Sequence, residues 1–153
     1  MECFGPAYEL LPKMRELLAR GEGFWLTVTG NSMYPTLTHL EDKVYISPLD
    51  GQIKKGDILL TRTQNGGCIL HRLIRRKGDS LYYQGDALNT QEGPLPIRYV
   101  VGRVTKIQHR EKIISVSPFY HFECLLRLRG YRFKRRLAAA VITTVSDKRN
   151  GGK

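Results

Sequence analysis

Nowhere in the 153 residues does an apolar run approach the ~20 residues that a membrane-spanning helix needs. The longest such block, Leu137 to Val145, has nine. A transmembrane helix is therefore not expected. The opening Met1-Glu2-Cys3-Phe4-Gly5-Pro6 has neither the basic start nor the apolar stretch of a secretory signal. Cysteine is scarce as well. Cys3, Cys68 and Cys124 are odd in number and lack paired metal-ligand spacing, so neither a disulfide framework nor a structural zinc site is expected, and a reducing compartment fits. Acidic residues are few in the last third: residues 98–153 hold 14 Lys and Arg against 3 Asp and Glu, whereas residues 1–97 hold 11 of each. The whole net charge of +11 thus lies at one end. That asymmetry suits an anionic partner, and it equally suits a solvated basic tail.

What is present suffices for one packed domain. Hydrophobic residues make up 41% and charged residues 25%, values that favour a core over disorder. Leu10, Met14, Leu17 and Leu18 recur at helical spacing before Gly21, which predicts a helix over 6–20, with Pro6 or Pro12 near its start. From Phe24 the period changes to two. Strands are predicted at 24–29, 43–47, 57–62, 68–75, 80–84, 98–107 and 112–117. They are separated by turns at Asp50-Gly51, Lys55-Gly56-Asp57, Asn65-Gly66-Gly67 and Lys77-Gly78-Asp79. Many short strands with glycine turns indicate a mainly β (α+β) domain, a distorted sandwich or partial barrel. The chain divides into an N-terminal helical segment (1–23), a β domain (24–117) and a basic C-terminal segment (118–153). Within the last, 119–146 is expected to be helical, the alanines at 138–140 outweighing the strand-like alternation before them.

Three segments carry chemistry. In Val28-Thr29-Gly30-Asn31-Ser32-Met33-Tyr34-Pro35-Thr36-Leu37 a strand ends in a glycine turn, Ser32 sits at its tip and Pro35 fixes the outgoing chain. Such a serine suits a nucleophile with backbone N–H groups nearby for an oxyanion, though it could equally cap a short helical turn near Pro35. The hydroxyl needs a base. Of His39, His71, His109 and His121, His71 shares a strand face with Ile69 and Leu73, which suits a neutral base and also suits a hydrogen-bonded core histidine. His39 lies in a polar turn; His109 and His121 lie in the basic region without a carboxylate pattern. After the strand at 80–84 come Asp86 and, six residues on, Glu92. Either could orient an imidazole. The alternative is an Asp in an Asx-turn and a Glu facing solvent.

Taken together, Gly30-Asn31-Ser32-Met33-Tyr34-Pro35-Thr36-Leu37, Lys55-Gly56-Asp57-Ile58-Leu59-Leu60, Leu70-His71-Arg72-Leu73, Gln84-Gly85-Asp86 and Val101-Gly102-Arg103-Val104 resemble, in order, the blocks of signal peptidase I and its LexA-type relatives. The resemblance covers about 24–107 and implies a mostly-β peptidase fold of coiled sheets with Ser32 as nucleophile. A lysine base is usual there. His71-Arg72 is instead similar to the endoplasmic-reticulum and archaeal branch, which uses Ser and His, although the membrane anchor typical of signal peptidases is not expected in this sequence. Asp86 matches that branch's first acidic residue, and Glu92 stands where its second aspartate would be. The serine often found two positions before the nucleophile is replaced by Gly30, so the oxyanion would rely on backbone N–H groups, with Gly30, Asn31, Met33, Tyr34 and Pro35 as the substrate-binding segment.

These observations predict a serine endopeptidase, acting on a peptide or preprotein without metal or organic cofactor. It would be cytoplasmic, with peripheral attachment of 119–153 to an anionic membrane favoured over nucleic acid. Phe24, Trp25, Met33 and Tyr34 could line a substrate groove or touch lipid, while Phe24 and Met33 read as readily as core. A LexA-like self-cleaving regulator would need an Ala-Gly or Cys-Gly bond before Ser32, and none exists. A catalytically silent binding module on the same fold is the remaining alternative.

Overall fold

The computed structural model describes residues 2–3, 7–63, 65–117, 120, 122–131, 133 and 134. Strand β1 (Glu2–Cys3) precedes helix α1 (Ala7–Ala19), which is followed by β2 (Phe24–Thr27), β3 (Asp42–Ser47), β4 (Ile58–Arg62), β5 (Cys68–Lys77), β6 (Ser80–Gln84), β7 (Glu92–Pro96), a 3-10 turn (Ile97–Tyr99), β8 (Val100–His109) and β9 (Lys112–Ser115). A second helix, α2, occupies 122–131, with residues 120, 133 and 134 also helical. The fold is mainly β, as the alternation and glycine turns predict. Among the described residues no helix is long and apolar enough to cross a membrane.

Among the described residues the nine strands belong to one sheet, ordered β1-β2-β3-β8-β4-β5-β6-β7 with β9 on β8. The β1–β2 pair is parallel, and the other pairs among the described residues are antiparallel. Strand β8 organises the sheet because it is longer than its partners. One edge pairs β3 from Arg103 to His109. The other takes β4 near Val100–Arg103 and β9 over Lys106–His109. Register shifts at Tyr45/Ile46, Leu60/Thr61, Leu73/Arg75 and Leu81/Tyr83 insert extra residues, which bend strands and increase their twist. The sheet is coiled for that reason.

Alternation sorts the side chains. In β3, Asp42, Val44 and Ile46 point inward while Lys43, Tyr45 and Ser47 are half-buried. The main core joins Met14 of α1 to Phe24, Val28, Met33, Leu37, Val44, Ile46, Ile58, Leu60, Val104 and Ile107. Leu59 points the other way, into a smaller cluster with Ile53, Leu73 and Leu81. Strand β4 is thus covered on both faces, which is why 58–61 is a continuous apolar run ending in a buried threonine. Helix α1 carries Pro12 within it. Leu10, Leu17 and Leu18 pack with Met14 against the main core, and this burial outweighs the hydrogen bond that proline removes.

Two expectations are refined here. Strand β7, Glu92-Gly93-Pro94-Leu95-Pro96, is not among the strands that the sequence pattern predicts; it forms at the sheet edge, where proline is tolerated. The predicted C-terminal helix over 119–146 is found as α2; its portion beyond 134 lies outside the described residues. Phe24 has no exposed surface, so Phe24→Ala should destabilise the protein by about 3–5 kcal/mol, measurable as a lowered urea midpoint at unchanged m-value.

Candidate active site

The segment from Val28 to Asp42 is a closed loop between β2 and β3. The Val28 N–H donates to the Asp42 carbonyl at 2.9 Å and the Leu40 N–H to the Val28 carbonyl at 2.8 Å. Gly30, at φ +94°, turns the chain through a conformation that side-chain-bearing residues avoid, and its N–H donates to Nδ1 of His39 at 2.8 Å. Residues 31–37 then coil tightly, the Thr36 and Leu37 N–H groups both donating to the Met33 carbonyl. Ser32 sits half-buried at the start of this coil. Met33 points into the main core, so only its backbone faces the site. Tyr34 is exposed and meets Tyr131 of α2 edge-on, ring centres 5.6 Å apart.

Ser32 is fixed from the far side by the turn after β6. The Ala87 N–H donates to the Ser32 carbonyl at 2.9 Å. A Cβ at Gly85 would lie 2.6 Å from that same oxygen, so the two segments meet only because Gly85 has no side chain. The turn grows out of β6, whose Gln84 pairs with Arg72, so the Ser32 segment is tied through β6 to the strand that carries His71 and Arg72.

These two neighbours point to opposite faces of β5 and are both buried. On one face the Arg72 guanidinium donates to both Asp86 oxygens, at 2.8 and 2.6 Å, and to the Gly56 carbonyl at 2.9 Å. The Thr36 hydroxyl completes the group by donating to Asp86 at 2.5 Å. Burial would lower the arginine pKa, but the hydrogen bonds and charge of Asp86 outweigh it and hold the guanidinium firmly charged. On the other face, Nδ1 of His71 lies 3.3 Å from a Glu92 carboxylate oxygen, an ion-pair contact without hydrogen-bond alignment. Register explains the meeting. Leu73, two residues along from His71, pairs with Tyr83, and Tyr83 pairs with Glu92; the Tyr83 and His71 rings lie 6.0 Å apart. Burial lowers the His71 pKa from its ordinary value, with Glu92 and, to a smaller extent, Asp86 pulling it upward.

A profile of the Peptidase S24-like family matches residues 7–105, from α1 into β8. The chain belongs to this family. It therefore falls in the superfamily of LexA and signal peptidase I. No curated protein matches the sequence.

In this S24-like domain the Gly85–Ala87 turn ties the Ser32 segment to β6, and the two carboxylates part: Glu92 faces His71, and Asp86 faces Arg72. His109 lies elsewhere, bonded to Asp42 at 2.5 Å; His121 lies outside the described residues. Sequence reasoning missed Thr36, Gly56 and Tyr83, and it noted Arg72 only as a mark of resemblance. One signal was available. An arginine between His71 and Leu73 in an apolar strand must be buried, and buried arginines need a carboxylate.

The separation makes a prediction. Asp86→Asn leaves Arg72 charged and buried without its anion, which should cost about 3–5 kcal/mol and lower the melting temperature. Glu92 is more than a third exposed, so Glu92→Gln should leave the melting temperature nearly unchanged.

Proposed function

We propose that this protein is a serine endopeptidase of the Ser–His type, with Ser32 as nucleophile, His71 as general base and Glu92 as the carboxylate that orients His71. What supports this reading is a buried histidine on β5 whose Nδ1 lies 3.3 Å from the Glu92 carboxylate, on the strand to which β6 and the Gly85–Ala87 turn tie the Ser32 segment. With Nδ1 turned to Glu92, Nε2 takes the Ser32 Oγ proton as the oxygen attacks a peptide carbonyl. The same nitrogen returns the proton to the leaving amine, and water then releases the acyl group by the reverse sequence. The Gly30 N–H is committed to His39, so the Ser32 N–H is the backbone donor assigned to the oxyanion. Asp86 acts as a positioning residue through Arg72, Thr36 and Ala87, not as the partner of the base. The pairing of His71 with an acidic partner favours the endoplasmic-reticulum and archaeal type of signal peptidase as the nearest mechanistic analogue, with peptides or preproteins as substrates.

A fluorophosphonate probe tests the nucleophile. Labelling of the wild type that disappears in Ser32→Ala and in His71→Ala supports the enzyme; no labelling of the wild type points to a silent module, and labelling that survives in Ser32→Ala removes Ser32 as the nucleophile.

The pH profile tests the base. Only neutral imidazole accepts a proton, and burial lowers the His71 pKa, so kcat/KM should rise along one limb centred below about 6.5 and then level off. Glu92 raises that pKa. Glu92→Gln should therefore move the limb further toward acid while lowering kcat by up to about 10⁴-fold. Asp86→Asn, whose effect on His71 is smaller, should move the limb less. A limb that stays in place in Glu92→Gln would remove Glu92 from the base.

A further inference from the structure

Helix α2 has two apolar faces, and the fold uses only one. Cys124 and Leu128 are buried, Tyr120 packs on the main core and Tyr131 rests on Tyr34; the spacing 120, 124, 128, 131 is one helical stripe. At 100° per residue, Phe122, Leu126 and Phe133 fall on the opposite side. They are 59%, 54% and 63% exposed, and Leu125 beside them is 45% exposed. Arg129 lies on this outward side next to the two phenylalanines, while Arg127 and Lys134 stand along one edge of the helix, between the buried stripe and the outward side; all three are exposed. The sequence adds Arg132, Arg135 and Arg136, so six basic residues stand between 127 and 136 with no acidic one among them.

We infer that this outward face of α2 docks on an anionic lipid bilayer, with Phe122, Leu126 and Phe133 entering the interface, and with Arg129 on that side and Lys134 and Arg127 from the edge reaching the headgroups. Charge complementarity and side-chain placement carry the choice of occupant. A helix lying in a bilayer interface needs large apolar side chains on one side and long cationic ones that can reach upward from its flanks. A helix reading nucleic acid would instead turn its cations outward as a group, and here the outward group is apolar. The buried face of α2 touches Tyr34, two residues after Ser32, so docking would hold the Ser32 turn within about one helix diameter, ~10 Å, of the lipid.

Flotation of the full chain with vesicles tests this directly. Vesicles of phosphatidylcholine containing phosphatidylglycerol should carry the protein at low salt; pure phosphatidylcholine vesicles should carry much less, and high salt should weaken the attachment. The exposed triple variant Phe122→Ser, Leu126→Ser, Phe133→Ser should lose about tenfold or more of the partitioning with an unchanged melting temperature. Should that variant misfold, Leu126→Trp in the otherwise native chain gives a second reading: its emission, compared with that of Trp25 alone, should shift to the blue on vesicle addition. Ser32→Ala should bind vesicles like the wild type, which separates this inference from the peptidase reading. Wild-type binding by the triple variant, or an unshifted Leu126→Trp emission, would overturn it. So would a dimer that the triple variant dissolves, or a shift of DNA or RNA without vesicle binding at the same ionic strength.

Discussion

The Arg72–Asp86 pair is the contact on which the arrangement of the site depends. Both side chains are 2% exposed, and taking two such charges out of water is expensive, so the pair is sustained only because its geometry is complete. The carboxylate is held bidentately and also accepts from Thr36, and the guanidinium donates onward to the Gly56 carbonyl. Those partners come from four separate stretches of chain: the loop after β2, the turn before β4, strand β5 and the turn after β6. A fifth stretch is tied to the second of these, because Arg103 of β8 pairs with Asp57 at 3.5 Å and with Asp50. The five blocks that resemble signal peptidase I and LexA therefore meet in space as one polar scaffold, and Ser32 is carried on its rim.

Consecutive residues of one strand divide the electrostatic work. Arg72 is kept charged by a buried anion. His71, on the other face, is biased toward neutrality by burial, with a half-exposed glutamate nearby to favour its protonated form. These opposing influences suit a group that must accept a proton and release it again within one cycle. Burying Asp86 against arginine also removes a second strong anion from the immediate neighbourhood of the imidazole, leaving Glu92 as the larger charge felt by His71.

Helix α2 is joined to this arrangement and not merely appended to it. Tyr120 and Cys124 lie near enough to Arg72 to interact with its charge. Burial and the hydrogen bond with Cys124 push the Tyr120 hydroxyl well above its ordinary pKa, so it stays neutral beside the guanidinium. Tyr131 closes on Tyr34 at the other end. The basic C-terminal segment thus begins as a structural cover over the polar scaffold, while the outward face of α2 remains open to solvent.

Local pattern determined a great deal. Two-residue alternation located β2 to β6 and β8, glycine turns separated them, and leucine spacing marked α1, because side-chain period and turn chemistry are properties of adjacent residues. The serine turn, the apolar-strand histidine and two acidic residues were equally legible. Sequence distance could not say which carboxylate faces His71 and which faces Arg72, since Asp86 and Glu92 follow the same strand six residues apart. Strand register decided it: the return of β7 alongside β6 carries Glu92 to the His71 face, while the turn at Asp86 folds toward Arg72. The same holds for α2, where interleaved leucines, aromatics and arginines became two distinct faces only once helical winding and the core had chosen which side to bury. Partner choice across strands depends on contacts between residues far apart in the chain, and that is what only the tertiary fold could supply.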